Sequence, residues 1–346
     1  MPSRLLRIYS HLAAAAVLSL LPQITTAQQG PYHVADHWTI GGEGGWDYLL
    51  ADGPAHRLYI AHNSRVEAVD TQTGKPVGAV TGMKSTHGIA LDPNGKTGYI
   101  SDGAGNAVVV FDRATLEKLA TIAAGTNPDG ILYEPFTRTV WAFNGRSRNV
   151  SVIDPVTRTV VTTIPLPGKP EFPVADGKGT VFVNIEDKNS IARLDAKTRQ
   201  VVTVWPLAGC ESPSGLAFDH AGQRLFSVCD GGKMAVTSAV TGKSLATPAI
   251  GGSPDAAGYD AKHKLAFSSN GGDATLSVVD ASGTSYPTIQ SLKTEKGART
   301  MTLDPVTGKI YLAYAQYGPA PAPTASSPRP RPAIIPGSFS ILVVSR

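Results

Sequence analysis

The chain has 346 residues, with 36 Gly, 26 Pro and only 17% charged residues, which fits a turn-dense all-β protein. Its formal net charge is +4, falling to about +2 once Arg4 and Arg7 of the leader are set aside. That balance is too mild to point to nucleic acid or an acidic membrane surface as a partner.

The first residues read as a secretory signal. Arg4 and Arg7 form a basic segment, Leu12 to Leu21 a short apolar one, and Thr25-Thr-Ala27 a small-residue cleavage site. The apolar run is too short for a membrane span, and no Cys follows to carry a lipid. The expectation is an exported protein, periplasmic or secreted, with a signal peptide at 1–27 and one folded domain at 28–346.

From Thr86 the chain repeats itself. His87-Gly-Ile-Ala-Leu-Asp92, Gly98-Tyr-Ile-Ser-Asp102, Val108-Val-Val-Phe-Asp112 and Leu119-Ala-Thr-Ile122 are four short runs parted by turn residues. Asp129-Gly-Ile-Leu-Tyr-Glu134, Val140-Trp-Ala-Phe-Asn144, Val150-Ser-Val-Ile-Asp154 and Val160-Val-Thr-Thr-Ile164 repeat the set. Apolar residues that come in runs or alternate mean strands, and about forty residues holding four strands is a propeller blade. The third run ends at Asp70, Asp112, Asp154, Asp195, Ser238 and Asp280, at spacings of 42, 42, 41, 43 and 42. The second run carries Tyr59, Tyr99, Trp141, Phe182, Phe226, Phe267 and Tyr311 at one fixed place. Seven such rings predict seven blades, with the rings as core between them. Gly95-Lys96-Thr97 and Gly242-Lys243-Ser244 lack the earlier Gly of a phosphate loop and read as hairpin turns.

The last unit stops after Phe339-Ser-Ile-Leu-Val-Val344, without a fourth strand. His37-Trp-Thr-Ile-Gly-Gly42 resembles the fourth strand of another unit, Thr247-Pro-Ala-Ile-Gly-Gly252. The fold expected is therefore all-β: a seven-bladed β-propeller whose last blade is completed by the N-terminal strand, leaving no open edge. Residues 318–337, rich in Pro, Ala and Ser and carrying Arg329 and Arg331, interrupt that last unit and read as a mobile loop or a partner-binding arm.

Trp141-Ala-Phe-Asn144, Val150-Ser-Val-Ile-Asp154 and Val161-Thr-Thr-Ile164 resemble the strand-and-turn pattern of the YVTN-type β-propeller repeat family of secreted and periplasmic bacterial proteins. Other units drift from it, as in Tyr59-Ile-Ala-His62 and Tyr99-Ile-Ser-Asp102. The resemblance covers about residues 46–346. It implies a binding or scaffold protein, and some similar propellers bind DNA. It brings no catalytic motif.

In a propeller the loops before each first strand open on the face that holds ligand. Read in register, that face collects Asp47, His87, Asp129, Glu171, Ser214, Asp255 and Arg299 as candidate ligand-binding residues around the channel mouth. Second-strand ends add His62, Asp102, Asn144, Glu186, Asp187, Asp230 and Asn270 further out. Four carboxylates and an imidazole facing one axis repel unless a cation or proton compensates. Asp47, His87, Asp129 and Glu171 are the candidate ligands for Ca²⁺, Mg²⁺ or Mn²⁺, although no cofactor is required. The alternative is a plain water-filled polar channel, with Arg299 neutralising Asp255 and Asp47. Cys210 and Cys229 fall at the same face of one unit, and in an exported protein they read as a disulfide.

No Gly-x-Ser-x-Gly, His-Glu-x-x-His, Cys-x-x-Cys or Gly-x-Gly-x-x-Gly occurs. The reading is a monomeric binding or scaffold protein that recognises a small ligand or protein partner at the channel mouth. The alternative is a metal-assisted lyase or lactonase with His87 as general base. A third option, DNA binding, is opposed by the acidic rim.

Overall fold

The computed structural model describes Met1 and residues 31–322, 324, 330 and 332–346. The leader expected at 1–27 and the middle of the Pro-rich segment lie outside the described residues, so neither expectation is addressed by the structure.

Seven four-stranded antiparallel sheets occupy residues 46–80, 86–123, 128–165, 170–206, 211–246, 254–293 and 301–345. The last includes the N-terminal strand His33–Thr39. Each sheet begins on the axis, and the first strands pack in a closed circuit, Trp46–Asp52 touching both Thr86–Leu91 and Met301–Leu303. The protein is a seven-bladed β-propeller, and among the described residues helical geometry is confined to two single turns at Gly53–Ala55 and Glu186–Lys188.

The sequence pattern follows from this layering. Second and third strands are covered on both faces by neighbouring blades, so they read as unbroken apolar runs such as Val140-Trp-Ala-Phe143, fully buried. Fourth strands lie at the rim, and Thr159–Pro165 alternates between exposed and partly covered positions. All seven repeated aromatics are buried, with Trp141, Phe226, Phe267 and Tyr311 fully so. Tyr59 meets Phe111 of the next blade with ring centroids 5.7 Å apart.

The repeated aspartates at third-strand ends serve the turns. Asp70 Oδ1 accepts from the amides of Gln72 and Thr73, and Asp112 Oδ1 from those of Ala114 and Thr115. Ser238 Oγ substitutes, accepting from the Thr241 amide at 3.2 Å. These short loops would otherwise leave backbone donors unpaired.

The closing strand pairs with Ser340–Ser345, Trp38 opposite Ile341. It starts four residues earlier than the expected His37–Gly42, and it ends at Thr39 because Gly41 and Gly42 take φ of 75° and 91° and turn the chain away. Trp38 packs on Tyr311 at 5.4 Å, and Tyr32 packs on Phe267 of the sixth blade at 5.2 Å. The strand thus fastens the seventh blade and its neighbour together. The segment likened to it in the fifth blade pairs less: the fourth strand there is only Ser244–Ala246, with one further bridge from Ala249 to Lys233.

Candidate functional site at the channel mouth

Six inner strands slip register at the same place, between Trp46 and Leu49, Thr86 and Ile89, Pro128 and Ile131, Pro170 and Pro173, Pro213 and Leu216, and Pro254 and Ala257. Such bulges re-aim side chains. The two residues freed at each slip are one of the acidic or polar residues named above and the residue after it. Second strands brace the slipped backbone: Ser101 Oγ donates to the Asp129 carbonyl, and Asn184 Nδ2 donates to the Ser214 carbonyl at 2.9 Å.

All seven expected residues, Asp47, His87, Asp129, Glu171, Ser214, Asp255 and Arg299, line one cup of about 370 Å³. Lys169, Glu186 and Asp230 join them. Glu186 and Asp230 had been expected further out. The other second-strand ends do structural work. Asn144 and Asn270 are fully buried and bond Ser151 and Ser277, Asp102 accepts from the amides of Lys84 and Ser85, and Asp187 pairs with Arg148 at 3.0 Å. His62 is buried, tilted against Phe339 with centroids 4.1 Å apart.

The charges pair unevenly. His87 Nδ1 donates to Asp47 at 2.5 Å, and Asp129 lies 3.8 Å from the same nitrogen. Arg299 pairs with Asp255 at 3.2 Å. Sequence order had offered Arg299 to Asp47 as well, but Asp47 turns to His87. Lys169, absent from the sequence reading, bridges Glu171 at 2.7 Å and Glu186. Six carboxylates therefore face three cationic side chains, Lys169, Arg299 and His87, among the described residues. Among the described residues, Asp129 shares His87 with Asp47.

That imbalance shows in the titration of the groups. Burial, with repulsion from Asp47, pushes Asp129 up to about 6. Burial and the Asp129 charge push Glu171 up to about 8 despite Lys169. Burial takes Asp255 to about 7 against the pull of Arg299. For His87 burial works downward, but the Asp47 hydrogen bond and the Asp129 charge outweigh it and hold the imidazole above its ordinary value.

The channel is not an open water column. Tyr48 of the first blade and Phe172 of the fourth reach across the axis and stack, centroids 5.3 Å apart and planes 26° apart. They sit one residue beyond Asp47 and Glu171, where the other blades carry Gly88, Gly130, Gly215, Ala256 and Thr300. The only signal in the sequence was this contrast of two rings among five small residues. Asp47, His87 and Asp129 also bring one ligand atom each to within 4.8 Å of one another. Cys210 and Cys229 are bonded, with Cα atoms 5.3 Å apart, and pin the wall that carries Ser212, Ser214 and Asp230.

Comparison with known proteins adds a partial likeness. No family model matches the chain. It is 29% identical over 150 residues to the uncharacterized protein YncE of Salmonella typhi, and 28% identical over 150 residues to that of Salmonella typhimurium. Each match takes in 41% of this chain and 42% of the relative, so the likeness spans about four-tenths of those proteins. Among solved structures, a chain of Kuenenia stuttgartiensis hydrazine synthase superposes with a TM-score of 0.68 at 18% identity, over 82% of this chain and 95% of that one. Among the described residues no helix is long and apolar enough to cross a membrane. The chain is a β-propeller, similar over part of its length to YncE.

Proposed function

We propose that this propeller is a binding protein whose channel-mouth cup takes a small cationic ligand, without catalysing a reaction. The observation that carries this is the surplus of carboxyl groups over cationic side chains, six to three, in a concave, partly desolvated site. The finer elements of the sequence reading, YVTN-type repeats, export and monomeric state, belong with this proposal. The disulfide at the cup wall supports a location outside the reducing cytoplasm. Isothermal calorimetry with methylammonium, Ca²⁺, Mg²⁺ and Mn²⁺ tests it. Heat with a cation that disappears in Asp129→Asn supports the reading, and silence with all four and with a larger organic ammonium ion removes it.

A second reading rests on the Asp47–His87–Asp129 grouping. Three such atoms within 4.8 Å fit a divalent ion with an open coordination side, as a lyase or lactonase would need. The donor set is two hard oxygens and one imidazole, which suits Mn²⁺ as well as Ca²⁺ or Mg²⁺. His87 could not then serve as base through Nδ1, which already faces Asp47. Metal-dependent turnover of a lactone panel would favour this reading. DNA as a partner fits neither, since phosphates would meet carboxylates at this face.

A further inference from the structure

We infer that the ligand is an organic ammonium ion carried on a short apolar or aromatic body, seated between the cup carboxylates and the Tyr48–Phe172 pair. This rests on the reading of the cup as a cation site and narrows it.

Three observations converge. First, the stacked rings follow directly after Asp47 and Glu171 in the chain and line the same cup, so a ligand there meets both charge and aromatic surface. A bare metal ion has no use for that second surface. An amine with an apolar tail uses both, because burying the tail is favourable in proportion to its area. Second, Met301 and Pro254 extend the apolar lining beside Asp255, so the apolar zone is wider than the ring pair alone. Third, Thr300 lines the cup, is only 4% exposed, and its Oγ1 has no hydrogen-bond partner. A buried hydroxyl without a partner is costly, and an ammonium N–H would satisfy it if ligand entry shifted Thr300 enough to open its now enclosed oxygen to the cup. A primary ammonium carries three donors, which suits Asp129, whose one cationic neighbour, His87, is shared with Asp47, with donors left for a neighbour.

The cup volume of about 370 Å³ accommodates an arylalkylamine and sits at the small end of ligand sites.

The test is calorimetry at pH 8 on the unmodified protein with 2-phenylethylammonium, methylammonium, 2-phenylethanol and Mn²⁺. The aryl amine is expected to bind roughly tenfold or more tightly than methylammonium, the difference a buried ring supplies, and the neutral alcohol to bind negligibly. Phe172→Leu should weaken the aryl amine severalfold and leave methylammonium unchanged. If methylammonium or Mn²⁺ binds and the aryl amine does not, this inference falls while the cation site stands. If nothing charged binds, both fall. If 2-phenylethanol matches the amine, the cup is an apolar pocket and the carboxylates are not the recognition element.

Discussion

Asp129 is the residue on which the electrostatics of the cup turn. It is desolvated, faces Asp47, and shares a nitrogen already committed elsewhere. Neutralising it should relieve repulsion rather than remove an attraction. Asp129→Asn is expected to raise Tm at pH 8 and to raise it clearly less at pH 5, where the native carboxyl already holds its proton; calorimetric scans at the two pH values read this directly. Lys169→Met should do the reverse, since Lys169 is the cation between Glu171 and Glu186. It should lower Tm at pH 8 and cost less at pH 5. A drop of the same size at both pH values would mean that the lysine stem, not its charge, matters. At this scale the sequence was informative wherever register could be counted, and Asp47, His87, Asp129, Glu171, Ser214, Asp255 and Arg299 do share one mouth. It was silent on Lys169, Tyr48 and Phe172. Lys169 precedes its strand, and the other two owe their direction to bulges that simple alternation does not reveal.

Among the elements, the closing strand shows how far sequence similarity within the chain can carry. The missing fourth strand of the last unit was visible as a count, and its replacement as a likeness between two segments. The exact pairing was not visible, because the strand is registered by Trp38 against Tyr311 and cut off by Gly41, both three-dimensional facts. Trp38→Ala should cost about 3 kcal/mol by emptying that contact, measured by denaturant unfolding. Removing residues 31–42 should do more: lower Tm and leave Ser340–Ser345 as an open edge, seen as self-association in light scattering. An unchanged Tm and a monodisperse protein would show that the ring closes without it. The disulfide acts more locally. It spans 19 residues, for which the entropic estimate is roughly 3 kcal/mol, and it fixes one wall of the cup.

For the whole molecule, the two ends of the pH scale are governed by different sets of carboxylates. Asp70, Asp112, Asp195 and Asp280 accept turn amides and are held below the ordinary aspartate value, so their contribution is present at neutral pH and lost as pH falls through their native values. The cup runs the other way. Asp129 at about 6, Asp255 at about 7 and Glu171 at about 8 all lie above the value of about 4 that they would have unfolded. Between pH 4 and 8 the native protein therefore holds more protons than the unfolded chain, and stability falls as pH rises. His87 adds the same sign, because its raised native value gives a contribution present at low pH and lost as pH climbs through it. The expected profile has its maximum near pH 4 and a decline toward pH 8, followed by Tm across that range. A cation in the cup would take the place of those protons. Saturating amine should therefore raise Tm more at pH 8 than at pH 5, and amine affinity should increase with pH over the same interval. Equal stabilisation at both pH values would detach ligand binding from the protonation of the cup, and would place the cation somewhere other than beside Asp129, Glu171 and Asp255.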